Sequence, residues 1–152
     1  RVKPLLQCIG SNVFHTGPIG SGNVVKLCNN MTSFCNMAVA YEALLLAQQA
    51  GVDPGLMAKV MATASGGSNS LKRVERKGLN GDWKQEFALN LAHKDLTLAL
   101  NLAQGTGTPL TYGPMTQALL QRAKNHGWGT DDVAVVLRVI EDAAHTTVRR
   151  QQ

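Results

Sequence analysis

The sequence predicts an all-α domain of about six helices packed around one long central helix. Three observations predict it. Residues 22–50 run for almost thirty positions without a proline, with apolar residues at helical spacing. The later apolar stretches are also helix-periodic, and Gly, Pro or Asp punctuates their ends. Only one short segment, Val13-Phe14-His15, has β character.

Taken in order, residues 1–16 read as the end of a preceding domain or a linker, with Val13-Phe14-His15 as its last strand or simply part of the linker. Residues 17–152 read as the helical domain. Gly17-Pro18-Ile19-Gly20-Ser21-Gly22 is turn-rich, and Ser21 is the candidate N-cap of the long helix. In that helix, Leu27, Met31, Phe34, Ala38, Tyr41 and Leu45 keep helical spacing, and Gly51 supplies the stop. Apolar residues on more than one face imply burial on most sides. Asp53-Pro54 places a cap before a proline at the first helical position, in a helix that runs to about Ala64 and stops at Gly66-Gly67. The Ser65–Ser68 stretch reads as an ordinary interhelical loop or, as the alternative, as backbone that approaches a ligand. A shorter helix spans about Asn69–Lys77, before a turn at Gly78 and Asn80-Gly81-Asp82. Glu86–Gln104 carries the stripe Leu89, Ala92, Leu96, Ala99 and Ala103 and ends at Gly105. Pro114 opens the next helix, which ends at Gly127. Thr130 caps the last, with Asp131 and Asp132 at its positive end, and that helix runs to about Thr147.

The 152 residues suit one domain large enough to bury a core. A hydrophobic share of 44% with 16% charged residues excludes a disordered chain, and with aromatics at 5% the core must be built from Leu, Val, Ala and Met. The net charge of +5 allows a phosphate, a carboxylate or a nucleic acid as partner. The basic residues are dispersed, however, with Lys72, Arg73, Arg76 and Lys77 the densest group and Arg149-Arg150 near the end. No aromatics are interleaved with them, so nucleic acid is set aside as a partner. Three cysteines without a framework suggest a reduced, cytoplasmic chain. Cys28 and Cys35 stand about 10 Å apart along a helix, too far to bridge. The apolar run from Met31 to Ala47 is broken by Asn36 and Glu42, so no membrane partner is expected. None of His15, His93, His126 and His145 stands in a metal-ligand spacing, so no metal is expected either. Arg1 in place of a start methionine, with the chain opening in mid-pattern, suggests a piece of a longer protein.

The chemistry concentrates at the start of the long helix. Lys26, Asn30 and Ser33 share one face at i, i+4 and i+7, with Asn29 alongside. A helical lysine is ordinarily solvated. Apolar neighbours Val24, Val25, Leu27 and Cys28 would instead desolvate it and favour the neutral amine, the form that accepts a proton. Gly20, Ser21 and Gly22 precede it, and the N–H groups after Gly20 offer donors to an anion. The order G-x-x-G-x-G is not the dinucleotide fingerprint G-x-G-x-x-G, which occurs nowhere in the chain. His93 reads as a helix-face residue. Asp95 reads as a structural ion pair with Lys94 or with a neighbouring helix. Trp83 and Trp128, each after a turn, read as loop anchors.

The segment Gly17-Pro18-Ile19-Gly20-Ser21-Gly22-Asn23-Val24-Val25-Lys26-Leu27-Cys28-Asn29-Asn30 resembles the catalytic segment of the β-hydroxyacid dehydrogenase family. That family includes 3-hydroxyisobutyrate dehydrogenase and tartronate semialdehyde reductase and is related to 6-phosphogluconate dehydrogenase. Phe87 to Ala99, with His93-Lys94-Asp95-Leu96 at its centre, is similar to the family's Lys-Asp-Leu helix. Gly107-Thr108-Pro109-Leu110 resembles the family's next loop, and Gly127-Trp128-Gly129-Thr130-Asp131-Asp132 the turn that opens the last helix. The resemblance runs from about Pro4 to Ala144. Two positions depart from it: Val133-Ala134 stands where the family often has Phe-Ser, and Gly67 follows Ser65-Gly66 where it often has a basic residue.

The resemblance implies a helical C-terminal domain like that of 6-phosphogluconate dehydrogenase, and an N-terminal Rossmann domain that this chain lacks. It implies hydride transfer between a small β-hydroxyacid and NAD or NADP. Lys26 would then be the general acid/base, Gly20, Ser21, Gly22, Asn29 and Asn30 the substrate contacts, and Lys94 the cofactor contact. A homodimer or higher homo-oligomer is implied as well. The alternative is a stand-alone helical dimerisation module without catalytic activity.

Overall fold

A computed structural model describes residues 2–150. Arg1, in the segment expected to be a linker, and Gln151 and Gln152, at the end of the expected helical domain, lie outside the described residues. Among the described residues the chain forms seven α-helices and no strand: α1 (Lys3–Gln7), α2 (Ser21–Gln49), α3 (Pro54–Thr63), α4 (Asn69–Arg73), α5 (Leu89–Thr106), α6 (Tyr112–Asn125) and α7 (Val136–Ala144). A π-helical turn, Val74–Gly78, extends α4, and a 3₁₀ turn, Val133–Val135, leads into α7. Six helices match the expected set, and α1 is additional. Val13-Phe14-His15 is not a strand; it belongs to an irregular, mostly exposed connection.

The 29 residues of α2 extend about 44 Å at 1.5 Å per residue, and α3 to α7 all pack against it. Burial on most sides holds only for its second half, where Phe34, Met37, Ala38, Ala40, Tyr41 and Leu44 are enclosed. Its first half has no fully buried residue, which leaves the lysine–asparagine face open. Ser21 is not the N-cap. Gly20 holds that place at φ 97°, a left-handed conformation that glycine adopts without strain. Ser21 is the first helical residue, and its hydroxyl donates to Pro18 O at 2.7 Å.

The other helix ends use different devices. Asp53 caps α3 by accepting from Gly55 N and Leu56 N, as the sequence predicts. Ser68, in the interhelical loop, caps α4 through Leu71 N. The helix expected from Glu86 begins at Leu89 and has no side-chain cap. Its first donors, Leu89 N and Asn90 N, bond instead to Asp131 O and Gly129 O at 2.9 Å. The loop before α7 therefore caps α5 with its own carbonyls, meeting one of the needs of a helix N-terminus. Likewise α6 begins at Tyr112, two residues before Pro114, and α7 ends at Ala144, where His145 turns left-handed.

Asp132 knots these pieces together. The expected cap, Thr130, does not do this. Asp132 is fully buried and accepts from Ala134 N, Glu86 N, Phe87 N and Arg73 Nη1 at 2.7–3.0 Å. The core includes Leu44, Leu89, Leu96, Leu120 and Leu137, all fully buried, with Trp83 and Trp128 packed at its edge as anchors. The three described cysteines are free. No helix among the described residues is long and apolar enough to cross a membrane.

Candidate functional site

The open first half of α2 faces α5, and Asp95 is where they meet. Asp95 Oδ2 accepts from Lys26 Nζ at 2.9 Å and from Asn30 Nδ2 at 2.8 Å. Lys94 Nζ lies 3.1 Å from Oδ1, an ion pair that leaves this oxygen without an aligned hydrogen bond. The Asp95 side chain is 4% exposed, while those of Lys26 and Lys94 are 54% and 59% exposed. Burial pushes the Asp95 carboxyl up, but Lys26, Lys94 and Asn30 outweigh it and hold it below the usual carboxylate range. The result is a fixed anion at the floor of the site with two ammonium groups above it.

Helical spacing explains the geometry. Lys26 and Asn30, four residues apart, project from one face of α2 and reach the same oxygen. The expectation that Val24, Val25, Leu27 and Cys28 desolvate Lys26 is not met, because Val24, Val25 and Cys28 are themselves exposed. Lys26 is positioned by Asp95 rather than by burial. Asp95, read from sequence as a structural ion pair with Lys94 or a neighbouring helix, makes both contacts at once and is central to the site.

The other expected residues divide. Asn29 flanks the site, exposed, with its amide 3.4 Å from Asn30 Oδ1. Ser21 turns its hydroxyl back to Pro18 O and Thr16 Oγ1. Ser21 N and Asn23 N are already bonded to Pro18 O and Gly20 O, so Gly22 N–H alone of these three has no backbone acceptor. His93, next to Lys94, turns towards Gln117 and away from Lys26.

Beside Asn30 a cavity of about 240 Å³ opens between α2, α4, the segment that precedes α5 and the 3₁₀ turn at Val133. Ser33, Ser70, Arg73 and Asn69 line it with polar groups, and Phe34, Met37 and Phe87 with apolar ones. Phe34 and Phe87 stack at 6.2 Å between ring centroids. None of Asn69, Ser70, Arg73 and Phe87 stood out as a site residue in the sequence.

Comparison with known proteins gives a consistent picture. Residues 20–140 match the family model described as the NAD-binding of NADP-dependent 3-hydroxyisobutyrate dehydrogenase. The chain is 33% identical over 149 residues to 2-(hydroxymethyl)glutarate dehydrogenase of Eubacterium barkeri, across 97% of this chain and 50% of that protein. It is 31% identical over 147 residues to the mitochondrial 3-hydroxyisobutyrate dehydrogenase of Rattus norvegicus, across 92% of this chain and 44% of that protein. The crystal structure of 3-hydroxyisobutyrate dehydrogenase from Salmonella typhimurium superposes with a TM-score of 0.84 at 28% identity, covering 91% of this chain and 49% of that one. The chain thus spans about half the length of the relatives it matches.

Proposed function

This chain belongs to the 3-hydroxyisobutyrate dehydrogenase family of β-hydroxyacid dehydrogenases, and on that premise we propose that it is the helical half of an NAD(P)-dependent oxidoreductase with Lys26 as its general acid/base. An N-terminal Rossmann domain in the natural polypeptide would complete it. The single observation that carries this reading is the shared oxygen: Lys26 and Asn30 are both hydrogen-bonded to Asp95 Oδ2 on an open helix face.

NAD(P), the cofactor of this family, supplies the acceptor or donor of the hydride when bound. Lys94 fits a cofactor contact, because its exposed ammonium beside Asp95 keeps donors to spare. The chain's own residues manage position and proton. Asn30, with one amide hydrogen on Asp95, keeps a second to offer a substrate oxygen. Gly22 N–H is a further donor at the same helix start, with Gly20 and Ser21 shaping the turn that presents it. As the alcohol carbon loses its hydride, the hydroxyl proton passes to the amine form of Lys26 Nζ. In the reverse direction the ammonium returns that proton to the carbonyl oxygen. Asp95 anchors Nζ throughout.

The test is an assay of the full-length polypeptide with NAD or NADP and a set of small β-hydroxyacids, read by nicotinamide absorbance. The reading predicts hydroxyacid-dependent reduction of the cofactor and its loss by about 100-fold or more in Lys26→Ala. No turnover with any such acid, in a folded protein that binds cofactor, overturns it.

A second reading concerns assembly. Val39 and Leu46 on α2 and Leu56 and Val60 on α3 are large apolar side chains left more than half exposed, which favours burial against a second copy. Light scattering tests it: a homodimer or higher homo-oligomer is expected, and a strict monomer at high concentration counts against it.

A further inference from the structure

We propose that the cavity beside Asn30 is a subsite for a second anionic group on the substrate, a carboxylate carried on a short apolar spacer, and that Arg73 reads it. The inference rests on the assignment of Lys26 and Asn30 to the reacting end and goes beyond it by naming the substrate class, a β-hydroxy dicarboxylate.

The placement comes from α2. Asn30 belongs both to the Lys26–Asp95 cluster and to the cavity wall. Along the same helix face, the wall continues from Asn30 through Ser33 to Met37, about 10 Å of helix axis, leading away from Lys26. A substrate held at Lys26 and Asn30 therefore extends its remaining atoms into this space. A volume of about 240 Å³ is much more than a methyl group fills. Phe34, Met37 and Phe87 supply apolar surface that suits methylenes rather than a second polar chain.

The polar side of the wall decides the chemistry at the far end. Ser33 and Ser70 satisfy each other: Ser70 Oγ donates to Ser33 O at 2.9 Å, which leaves Ser33 Oγ to donate to Ser70 Oγ at 2.9 Å. Their hydrogens are spent, so the pair offers no donor. Arg73 is different. Its Nη1 is engaged by both oxygens of Asp132 at 2.7 and 2.9 Å. Its Nη2 stands 4.0 Å from Glu86 Oε2, beyond hydrogen-bond reach. Arg73 is 28% exposed and lines the cavity. A guanidinium with one nitrogen clamped and another still able to donate is pre-oriented for a carboxylate, which accepts from its remaining N–H groups. Asp132 is itself held by three backbone N–H groups, so the clamp does not move with the ligand. Asn69 adds an exposed amide at the rim.

The experiment compares three substrates on the full-length enzyme: 3-hydroxy-2-methylpropanoate, 2-(hydroxymethyl)pentanedioate, and the 5-amide of the latter. The subsite predicts a kcat/KM for the dicarboxylate at least about 10-fold above both the methyl compound and the amide, since a charge-assisted contact is lost in each. In Arg73→Lys, which keeps a cation beside Asp132 but not the fork, the ratio of dicarboxylate to methyl kcat/KM falls at least about 10-fold. The ratio is unaffected by a general loss of folded protein. A wild-type enzyme that prefers the methyl compound, or a ratio unchanged in Arg73→Lys, overturns the subsite while leaving Lys26 in place. Full activity in Lys26→Ala overturns the underlying assignment, and absence of turnover with all three substrates overturns both.

Discussion

Lys26 and Asp95, 69 positions apart in sequence, meet at 2.9 Å between Nζ and Oδ2, and the same oxygen takes Asn30 Nδ2 at 2.8 Å. The carboxylate is thus the part that sets the relative positions of the two groups assigned to substrate. Asp95→Asn keeps the shape of the side chain but removes the charge and places an amide donor among donors. Turnover of the full-length enzyme is expected to fall about 10- to 100-fold, the scale of an ångström-sized misplacement of reacting groups. Circular dichroism of the variant should remain that of a folded helical protein. A purely structural Asp95 would lower the melting temperature and leave kcat per folded molecule unchanged.

Asp132 is predicted to matter for stability. Asp132→Ala strands the Arg73 guanidinium and three backbone N–H groups, that of Ala134 buried and those of Glu86 and Phe87 part-buried, at a cost of about 3–5 kcal/mol in urea unfolding at neutral pH. The pH dependence has a definite sign. Burial pushes the Asp132 carboxyl up, but Ala134 N, Phe87 N, Arg73 and Glu86 N outweigh it and hold it below the usual range. The exposed Glu86 is lowered to about 2 by hydrogen bonds from Arg76. Groups lowered on folding stabilise the protein above their unfolded values, near pH 4, and that stability is lost as pH falls through the folded values. The gap between wild type and Asp132→Ala should therefore be full at pH 7 and shrink below about pH 4. A gap that grows with acid contradicts the assignment.

Gly78 closes the π-helical turn against Tyr41. A Cβ there would stand 2.6 Å from Tyr41 Cε1 and 2.9 Å from its hydroxyl oxygen. Tyr41 is fully buried and donates to Ala134 O at 3.2 Å, so it has nowhere to move. Gly78→Ala should cost about 1–3 kcal/mol through overpacking. Gly129→Ala also meets a neighbour at 2.6 Å, but that neighbour is the amide end of exposed Asn90, which can swing away. Thermal melts of the two variants should rank Gly78→Ala as clearly the less stable, and equal melting temperatures would contradict the role given to Tyr41.

The range of each interaction decides whether the sequence shows it. The long helix, the Asp53 cap and the shared face of Lys26 and Asn30 are local patterns of three to four residues, and they are legible. The partner of that face is not. Asp95 is visible beside Lys94, yet nothing within α5 marks it as the residue that α2 approaches. The start of α5 is misread at Glu86 because its donors are met by carbonyls of Gly129 and Asp131 some forty residues away. Asp132 is misread for the same reason: its sequence position suggests a helix-dipole aspartate, while its partners Arg73, Glu86 and Phe87 come from other elements. Lys26 is misread in its environment, since apolar neighbours in sequence predict burial and the packing leaves that end of α2 open. Ser21 has the residue type of a cap, but Gly20 can take the left-handed conformation and the helix starts one residue earlier in phase.

The central claim is that Lys26 carries the proton, and chemical rescue measures it most directly. The full-length Lys26→Ala enzyme is assayed with small primary amines added at increasing concentration. A proton-carrying Lys26 predicts a loss of about 100-fold or more without amine, and a rate that climbs with the concentration of free amine as it occupies the vacated place above Asp95. A variant that turns over near the wild-type rate, whether or not amine is present, contradicts it.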